Sequence, residues 1–79
     1  MNWKEHIVTD RAILAGKPII KGTRLSVEFI IGLLAEGWDE KAVLENYTQL
    51  DAADLQAVFA FMAGCLKDEE YVALERAST

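Results

Sequence analysis

Gly16-Lys17-Pro18-Ile19-Ile20-Lys21-Gly22-Thr23-Arg24 is the stretch from which the fold of this chain is predicted. Pro18 cannot donate a backbone hydrogen bond, and it keeps the residue before it out of the α region. The β-branched pair that follows it, Ile19 and Ile20, therefore predicts an edge strand or a first strand. Gly22 predicts a backbone angle that other residues resist. The chain before this stretch is expected to form a short arm, and the chain after it to be helical.

The arm itself predicts two short elements. Residues 3–9 can form a strand, because they include β-branched side chains. Asp10 can cap a single helical turn over residues 11–14, which Gly16 would end.

Three helices are predicted after the opening stretch, each begun by a side chain that accepts backbone hydrogen bonds. The caps and their helices are Ser26 for residues 27–36, Asp39 for residues 40–46 and Asp51 for a third helix that runs to residue 66. Gly37 is expected to end the first helix. The predicted core stripe of the third helix comprises Leu55, Val58, Phe59, Met62 and Leu66. Its predicted exposed positions are Ala53, Asp54, Gln56, Ala57 and Ala60.

These elements predict a mainly α fold, a three-helix bundle of helix-turn-helix layout with a short N-terminal β arm and a C-terminal helical segment. Residues 1–79 are expected to form a single domain. Within it, residues 1–25 would be the β arm and basic turn, residues 26–66 the three-helix core, and residues 67–79 a helical tail.

The apolar content predicts a homodimer. Apolar residues make up 52% of the 79-residue chain, more than so small a domain can bury by itself. Phe29 and Leu33 lie one turn apart beside the core stripe of the first helix, so that helix is expected to be buried on two sides. Phe61 widens the stripe of the third helix. Phe29, Leu33 and Phe61 are therefore the predicted dimer contacts.

The charges divide unevenly along the chain. Residues 1–25 hold five basic and two acidic side chains, a balance of +3, and residues 26–79 hold three basic and eleven acidic ones, a balance of −8. This pattern suits an arm that binds anions and a body that binds a basic partner, although an acidic surface can also serve solubility alone. Lys17, Lys21 and Arg24 are the candidates for contact with nucleic acid or a partner. Arg24 could equally tie the strand to an acidic helix residue.

The second and third helices have the layout of a DNA-binding helix-turn-helix, in which the later helix enters the major groove. Gln56 could read adenine there. None of the predicted exposed positions is basic, however, and Asp54 would repel phosphate. The same layout is also a compact way to pack three helices.

Several classes of function are disfavoured by the sequence. Gly16 and Gly22 are one residue too far apart for a phosphate loop, and no lysine follows Gly22. His6 and Cys65 are the only histidine and cysteine, so no metal site is expected, and Cys65 is interpreted as a small apolar side chain. No catalytic set is evident, so we expect neither enzymatic activity nor a cofactor. A single cysteine and the lack of any apolar run of about 18 residues predict a cytoplasmic location without membrane contact.

Residues 16–27 resemble the signature of the Domain of Unknown Function 433 family, whose members share a Gly-Lys-Pro-(Val/Ile)-Ile-Lys-Gly-Thr-Arg-(Ile/Leu) segment. The segments Leu33–Trp38 and Val43–Tyr47 extend the resemblance, followed by Leu50 and Asp54-Leu55. It covers about residues 6–66. Thr48-Gln49 departs from the usual proline-containing turn, and the entry to the third helix is expected to differ there.

The resemblance implies a homeodomain-like three-helix fold with a short β arm. It also implies an antitoxin-like partner of a PIN-like ribonuclease encoded beside it, of a kind that commonly dimerises and some of whose members bind their own operator DNA. The resulting hypothesis is a non-enzymatic antitoxin of a type II toxin-antitoxin pair. The alternatives are a stand-alone helix-turn-helix regulator of transcription and a structural protein-interaction module.

Overall fold

The computed structural model of this protein describes residues 2–67. Its two short strands are β1 (Ile7–Val8) and β2 (Ile19–Ile20), and its helices are α1 (Val27–Ala35), α2 (Glu40–Asn46) and α3 (Ala52–Cys65). Single 3-10 turns occupy Trp3–Glu5 and Leu14–Gly16. The predicted mainly α fold, with three helices and a short N-terminal β arm, is confirmed. Nearly all of the predicted helical tail, from residue 68 onward, lies outside the described residues.

The β arm is an antiparallel pair in which Ile7 lies opposite Ile20. The predicted strand over residues 3–9 is shorter than expected, because its first half forms a 3-10 turn capped by the side chain of Asn2. The predicted strand at residues 19–20 is confirmed. The arm is also held to the start of α1, since the backbone N–H of Val27 donates to the carbonyl oxygen of Pro18 at 2.9 Å.

Each helix begins at the predicted cap. The Ser26 hydroxyl accepts from the backbone N–H of Phe29 at 2.9 Å, and the Asp39 carboxylate accepts from that of Ala42 at 2.8 Å. At α3, Asp51 and Asp54 each accept a hydrogen bond from the backbone N–H of the other, which makes a capping box. These bonds satisfy N–H groups that the first turn of a helix leaves without partners.

The core lies where α1, α2, α3 and the sheet meet. Its buried apolar side chains are Ile7, Ile20, Val27, Ile30, Leu33, Val43, Leu50, Leu55, Ala57 and Val58. Leu33, predicted as a dimer contact, is one of them, with 9% of its surface exposed. The first helix thus directs Leu33 inward and leaves Phe29 on the surface.

The core face of α3 differs from the predicted stripe. Ala57, predicted to be exposed, is completely buried, whereas Phe59 and Leu66 are 42% and 50% exposed. The face toward the core is defined by Leu55 and Val58, with Ala57 beside them. A methyl side chain suits a position where neighbouring elements approach closely, and the large side chains on the other side of α3 then face outward.

The turn between the strands is strained. The predicted helical turn over residues 11–14 is replaced by a tight turn in which Asp10 accepts from the backbone N–H of Ala12 at 2.9 Å. Leu14, Ala15 and Gly16 then adopt φ angles of 51°, 56° and 84° in succession. Left-handed backbone costs about 1–2 kcal/mol for a residue other than glycine. Gly22 also has a positive φ, of 82°, as its position in the sequence predicted.

None of the helices within residues 2–67 is long and apolar enough to cross a membrane.

Candidate interaction surfaces

Lys17, Lys21 and Arg24, the three predicted phosphate or partner contacts, all have exposed side chains on the stretch that contains β2. The side chain of Lys17 lies against α1, where its Nζ atom is 3.1 Å from a carboxylate oxygen of Glu28. Both partners of this ion pair are largely exposed, at 57% and 74%, so it contributes little stability. Lys17, and not Arg24, thus pairs with an acidic residue of a helix, which was one of the two alternatives left open for Arg24.

Lys21 and Arg24 form no ion pair with any other side chain of residues 2–67. The guanidinium of Arg24 can therefore contact an incoming anion without breaking a bond inside the described part of the domain. Gln56, the predicted base-reading residue, is exposed on α3 and so belongs to a different element from the three basic residues.

Phe29 lies between two open hollows on the surface of α1. Lys17 and Glu28 line one of them, and Leu14 and Arg24 line the other. The Phe29 ring is 42% exposed and makes an edge-to-face contact with Tyr47 at a centroid distance of 5.6 Å. Phe29 is therefore accessible to a partner, and its role as a dimer contact stays a prediction.

Phe61 has a partner inside the chain. Its ring meets the Trp3 ring edge to face, with 5.0 Å between the centroids. This contact holds the 3-10 turn at the N-terminus against α3. Of the three predicted dimer contacts, Leu33 is in the core and Phe61 is half-buried under Trp3, so Phe29 alone is classed as exposed.

Exposed carboxylates surround α2. We call Glu36, Asp39, Glu40 and Glu45, all exposed, the acidic α2 surface. Lys41 is the basic side chain of α2, and its Nζ atom lies 4.0 Å from a carboxylate oxygen of Glu45. Within residues 2–67, the carboxylates of Glu36, Asp39 and Glu40 have no ion-pair partner. As far as the described part of the chain shows, this surface offers several unpaired negative charges to a basic partner.

The exposed positions of α3 offer little to DNA. They carry no basic side chain from Ala52 to Cys65. Asp54, which was expected to face solvent, is instead largely covered, and its Oδ1 atom lies 3.0 Å from Nδ1 of His6. Sequence reasoning missed this pair, because 48 positions separate its two members and no local pattern connects them.

Among residues 2–67, no group of three or more histidine, cysteine, aspartate or glutamate side chains could hold a metal ion. Cys65, interpreted from the sequence as a small apolar side chain, is exposed near the end of α3.

Comparison with known proteins places the chain in a family. Residues 7–62 match the family model described as "Protein of unknown function (DUF433)". The chain belongs to the DUF433 family. A crystal structure of a DUF433 member protein from Anabaena variabilis ATCC 29413 is similar to this DUF433 domain, with a TM-score of 0.71 and 27% sequence identity. The match covers 90% of this chain and 67% of that one. Among curated proteins, none matches this DUF433 domain significantly.

The family match begins at β1 and ends within α3. It therefore includes the basic stretch, α1, the acidic α2 surface and the capping box of α3. The resemblance found in residues 16–27 is thus confirmed as family membership.

Proposed function

We propose that this DUF433 protein is a non-enzymatic antitoxin, which neutralises a PIN-like ribonuclease by binding it directly. The observation that supports this proposal most directly is the acidic α2 surface. A ribonuclease must attract the phosphates of RNA, so its substrate groove is positively charged, and an acidic helix complements such a groove. Occupation of the groove would exclude RNA and would need no chemistry from the antitoxin.

The acidic α2 surface is well prepared for such a contact. Asp39 caps α2, so the backbone that carries the neighbouring carboxylates is fixed before binding. Because Glu36 and Glu40 are not engaged in ion pairs within residues 2–67, they break no ion pair in that part of the chain when they meet a basic partner. A pre-ordered surface loses less conformational entropy on association.

Binding of operator DNA is a second role for the same protein, and the basic stretch supports it. Lys21 and Arg24 are exposed, are without ion pairs in the described residues, and flank the sharp turn at Gly22. They would contact phosphates, whereas the uncharged exposed face of α3 offers only Gln56 to a base. The alternative, a stand-alone regulator that reads DNA through α3, is therefore less well supported.

The experiment is an inhibition assay with the product of the neighbouring gene, which the proposal expects to be a PIN-like ribonuclease. We expect the wild-type protein to form a complex with it and to stop RNA cleavage. The double variant Glu36→Gln/Glu40→Gln should weaken the complex about tenfold, because two exposed charge contacts contribute on the order of 0.5–1 kcal/mol each. Asp39 is left unchanged so that α2 keeps its cap.

The matched control is Glu5→Gln/Glu28→Gln, which removes two negative charges at other positions. Glu28 lies in the first turn of α1, as Glu40 lies in the first turn of α2. It should leave the affinity within about twofold of the wild type. Absence of any complex between the two wild-type proteins would refute the antitoxin proposal. A complex that both variants weaken equally would show that net charge matters and the acidic α2 surface does not.

The DNA role has a separate assay with the promoter fragment of the same operon. The affinity of the wild type for DNA should fall steeply as the salt concentration rises. Lys21→Ala/Arg24→Ala should make the slope of log affinity against log salt concentration shallower, by the amount that corresponds to about two phosphate contacts. Binding unchanged by this double variant would locate the DNA contact on another part of the protein.

A further inference from the structure

Five exposed residues of α3 follow one another at alternating spacings of four and three positions. We call them the α3 seam: Ala52, Gln56, Phe59, Ala63 and Leu66. Leu66 directly follows α3 with helical backbone angles, so it continues the same line. This alternation is the heptad spacing by which one helix packs against another. Phe59 and Leu66 supply large apolar side chains that are about half exposed, at 42% and 50%.

The α3 seam is also free of charge. From Leu55 to Leu66 the chain has no acidic or basic residue. Leu55, Ala57 and Val58 turn one face of this segment into the core, and the α3 seam is the face that the rest of residues 2–67 leaves exposed. A helix that is apolar on all sides is typical of one that is buried on all sides.

We propose that the α3 seam of one copy packs antiparallel against the α3 seam of a second copy, with Phe59 close to the two-fold axis. A heptad seam accepts the side chains of another heptad seam, and a second copy supplies one of the same length and chemistry. Neither seam carries a charge, so no charged group loses its hydration when the two seams come into contact. The seam is about 21 Å long from residue 52 to residue 66, and both helices are already folded, so little ordering is needed.

The charges at the two ends of the seam decide the orientation. Asp51 and Lys67 are both exposed, and each lies eight positions from Phe59. An antiparallel pair centred on Phe59 therefore places Asp51 of each copy opposite Lys67 of the other. A parallel pair would place like charges together at both ends, which is unfavourable.

This interface differs from the one predicted from the sequence, which used Phe29, Leu33 and Phe61. The inference is independent of the antitoxin proposal, because it concerns residues outside the acidic α2 surface. If the chain dimerises without binding a ribonuclease, the antitoxin proposal alone fails. If it binds a ribonuclease as a monomer, the dimer inference alone fails.

The first test is sedimentation velocity of the full chain over a dilution series. The wild type should sediment at twice its 8.8 kDa chain mass at high concentration. Ala63→Glu, at an exposed position near the end of α3, should shift the protein to the monomer while its far-UV circular dichroism stays unchanged. Gln56→Leu should lower the dissociation constant at least about tenfold, because it replaces the one polar seam residue in both copies.

The matched control is Ala35→Glu, which puts the same charge at an exposed position near the end of α1 and should leave the dimer intact. A wild type that remains monomeric throughout the series, or an Ala63→Glu variant that dimerises like the wild type, would overturn the proposal. The paired Gln56→Leu measurement keeps the test valid should Ala63→Glu disturb the fold.

The second test concerns orientation and uses disulfide cross-linking. In a Cys65→Ser background, one chain carries Ala52→Cys and a second, longer tagged chain carries Leu66→Cys. Under oxidising conditions an antiparallel pair should give mainly mixed covalent dimers of one tagged and one untagged chain. A majority of like-with-like dimers for both chains would overturn the antiparallel arrangement.

Discussion

The Nδ1 atom of His6 lies 3.0 Å from the Oδ1 atom of Asp54, and this one contact joins the β arm to the start of α3. The backbone carbonyl of His6 accepts from the N–H of Lys21 at 2.8 Å, so His6 is also held by the sheet. The other carboxylate oxygen of Asp54 accepts from the N–H of Asp51 at 3.1 Å. A continuous set of hydrogen bonds therefore runs from the strand after Pro18, through His6, to the cap of α3.

We expect His6→Ala to lower the free energy of unfolding by about 1 kcal/mol, because it leaves a largely covered carboxylate oxygen without this partner. The loss should be smaller than for a fully buried bond, since the two side chains keep 26% and 14% of their surface exposed. Urea denaturation at one fixed protein concentration measures it. Thr9→Ala, an exposed change in the same arm, should cost less than about 0.5 kcal/mol. Equal losses for the two variants would contradict a stabilising role for the pair.

Ser26→Ala should destabilise the protein by about 1 kcal/mol, because it removes the cap of α1 at a position where Ser26 is only 8% exposed. Ser26→Gly should destabilise the protein by only a few tenths of a kcal/mol, since glycine is tolerated at an N-cap. Thermal unfolding of the three proteins gives the comparison. An alanine variant as stable as the wild type would mean that the strand contacts of residues 18–20 hold the start of α1 without the cap.

Ala15→Gly should raise the stability by up to about 1 kcal/mol, because Ala15 has a φ of 56° that costs an alanine more than a glycine. Gly22→Ala should have the opposite sign and a similar size, because Gly22 has a φ of 82° although a Cβ atom there would meet no neighbour within 4 Å. The pair therefore tests backbone strain apart from steric contact. Thermal unfolding midpoints that move in the same direction for both variants would refute this interpretation.

Ala57→Gln and Phe59→Gln should differ strongly, although they lie two positions apart on α3. The first places a larger polar side chain where Ala57 has no exposed surface, so a loss of at least about 2 kcal/mol is expected. The second changes a side chain that is 42% exposed, and it should cost the isolated domain less than about 1 kcal/mol. Urea denaturation at low protein concentration separates these losses from any effect on dimerisation. If Phe59→Gln lowered the free energy of unfolding more than Ala57→Gln did, the core stripe predicted from the sequence would be correct after all.

The helices were predictable because their signals are local. Ser26, Asp39 and Asp51 each cap a helix through a backbone N–H group three residues away, so the chain carries that information in a short window. The same holds for the strand after Pro18 and for the positive φ of Gly22. The β arm was predicted less well, because its first half depends on how Trp3 packs against Phe61.

The candidate interaction surfaces were predicted only in part. The exposure of Lys21 was expected, since lysine is rarely buried, whereas two alternatives had been left open for Arg24, which is also exposed. The ion pair of Lys17 with Glu28 was not foreseen, because it depends on how the strand lies against α1. The spacing of the α3 seam is present in the sequence, yet it could be recognised only once Leu55, Ala57 and Val58 were known to face the core.

The sequence by itself determined the three helices, their caps, the strand that follows Pro18 and the family to which the chain belongs. Each of these depends on residues close together in the chain or on a continuous motif. The tertiary structure alone decided that Ala57 is buried and Phe59 exposed, that Leu33 belongs to the core, and that His6 meets Asp54. The physical reason is that an apolar helix can turn any of several faces inward, and only the packing of α1, α2 and the sheet around α3 selects one.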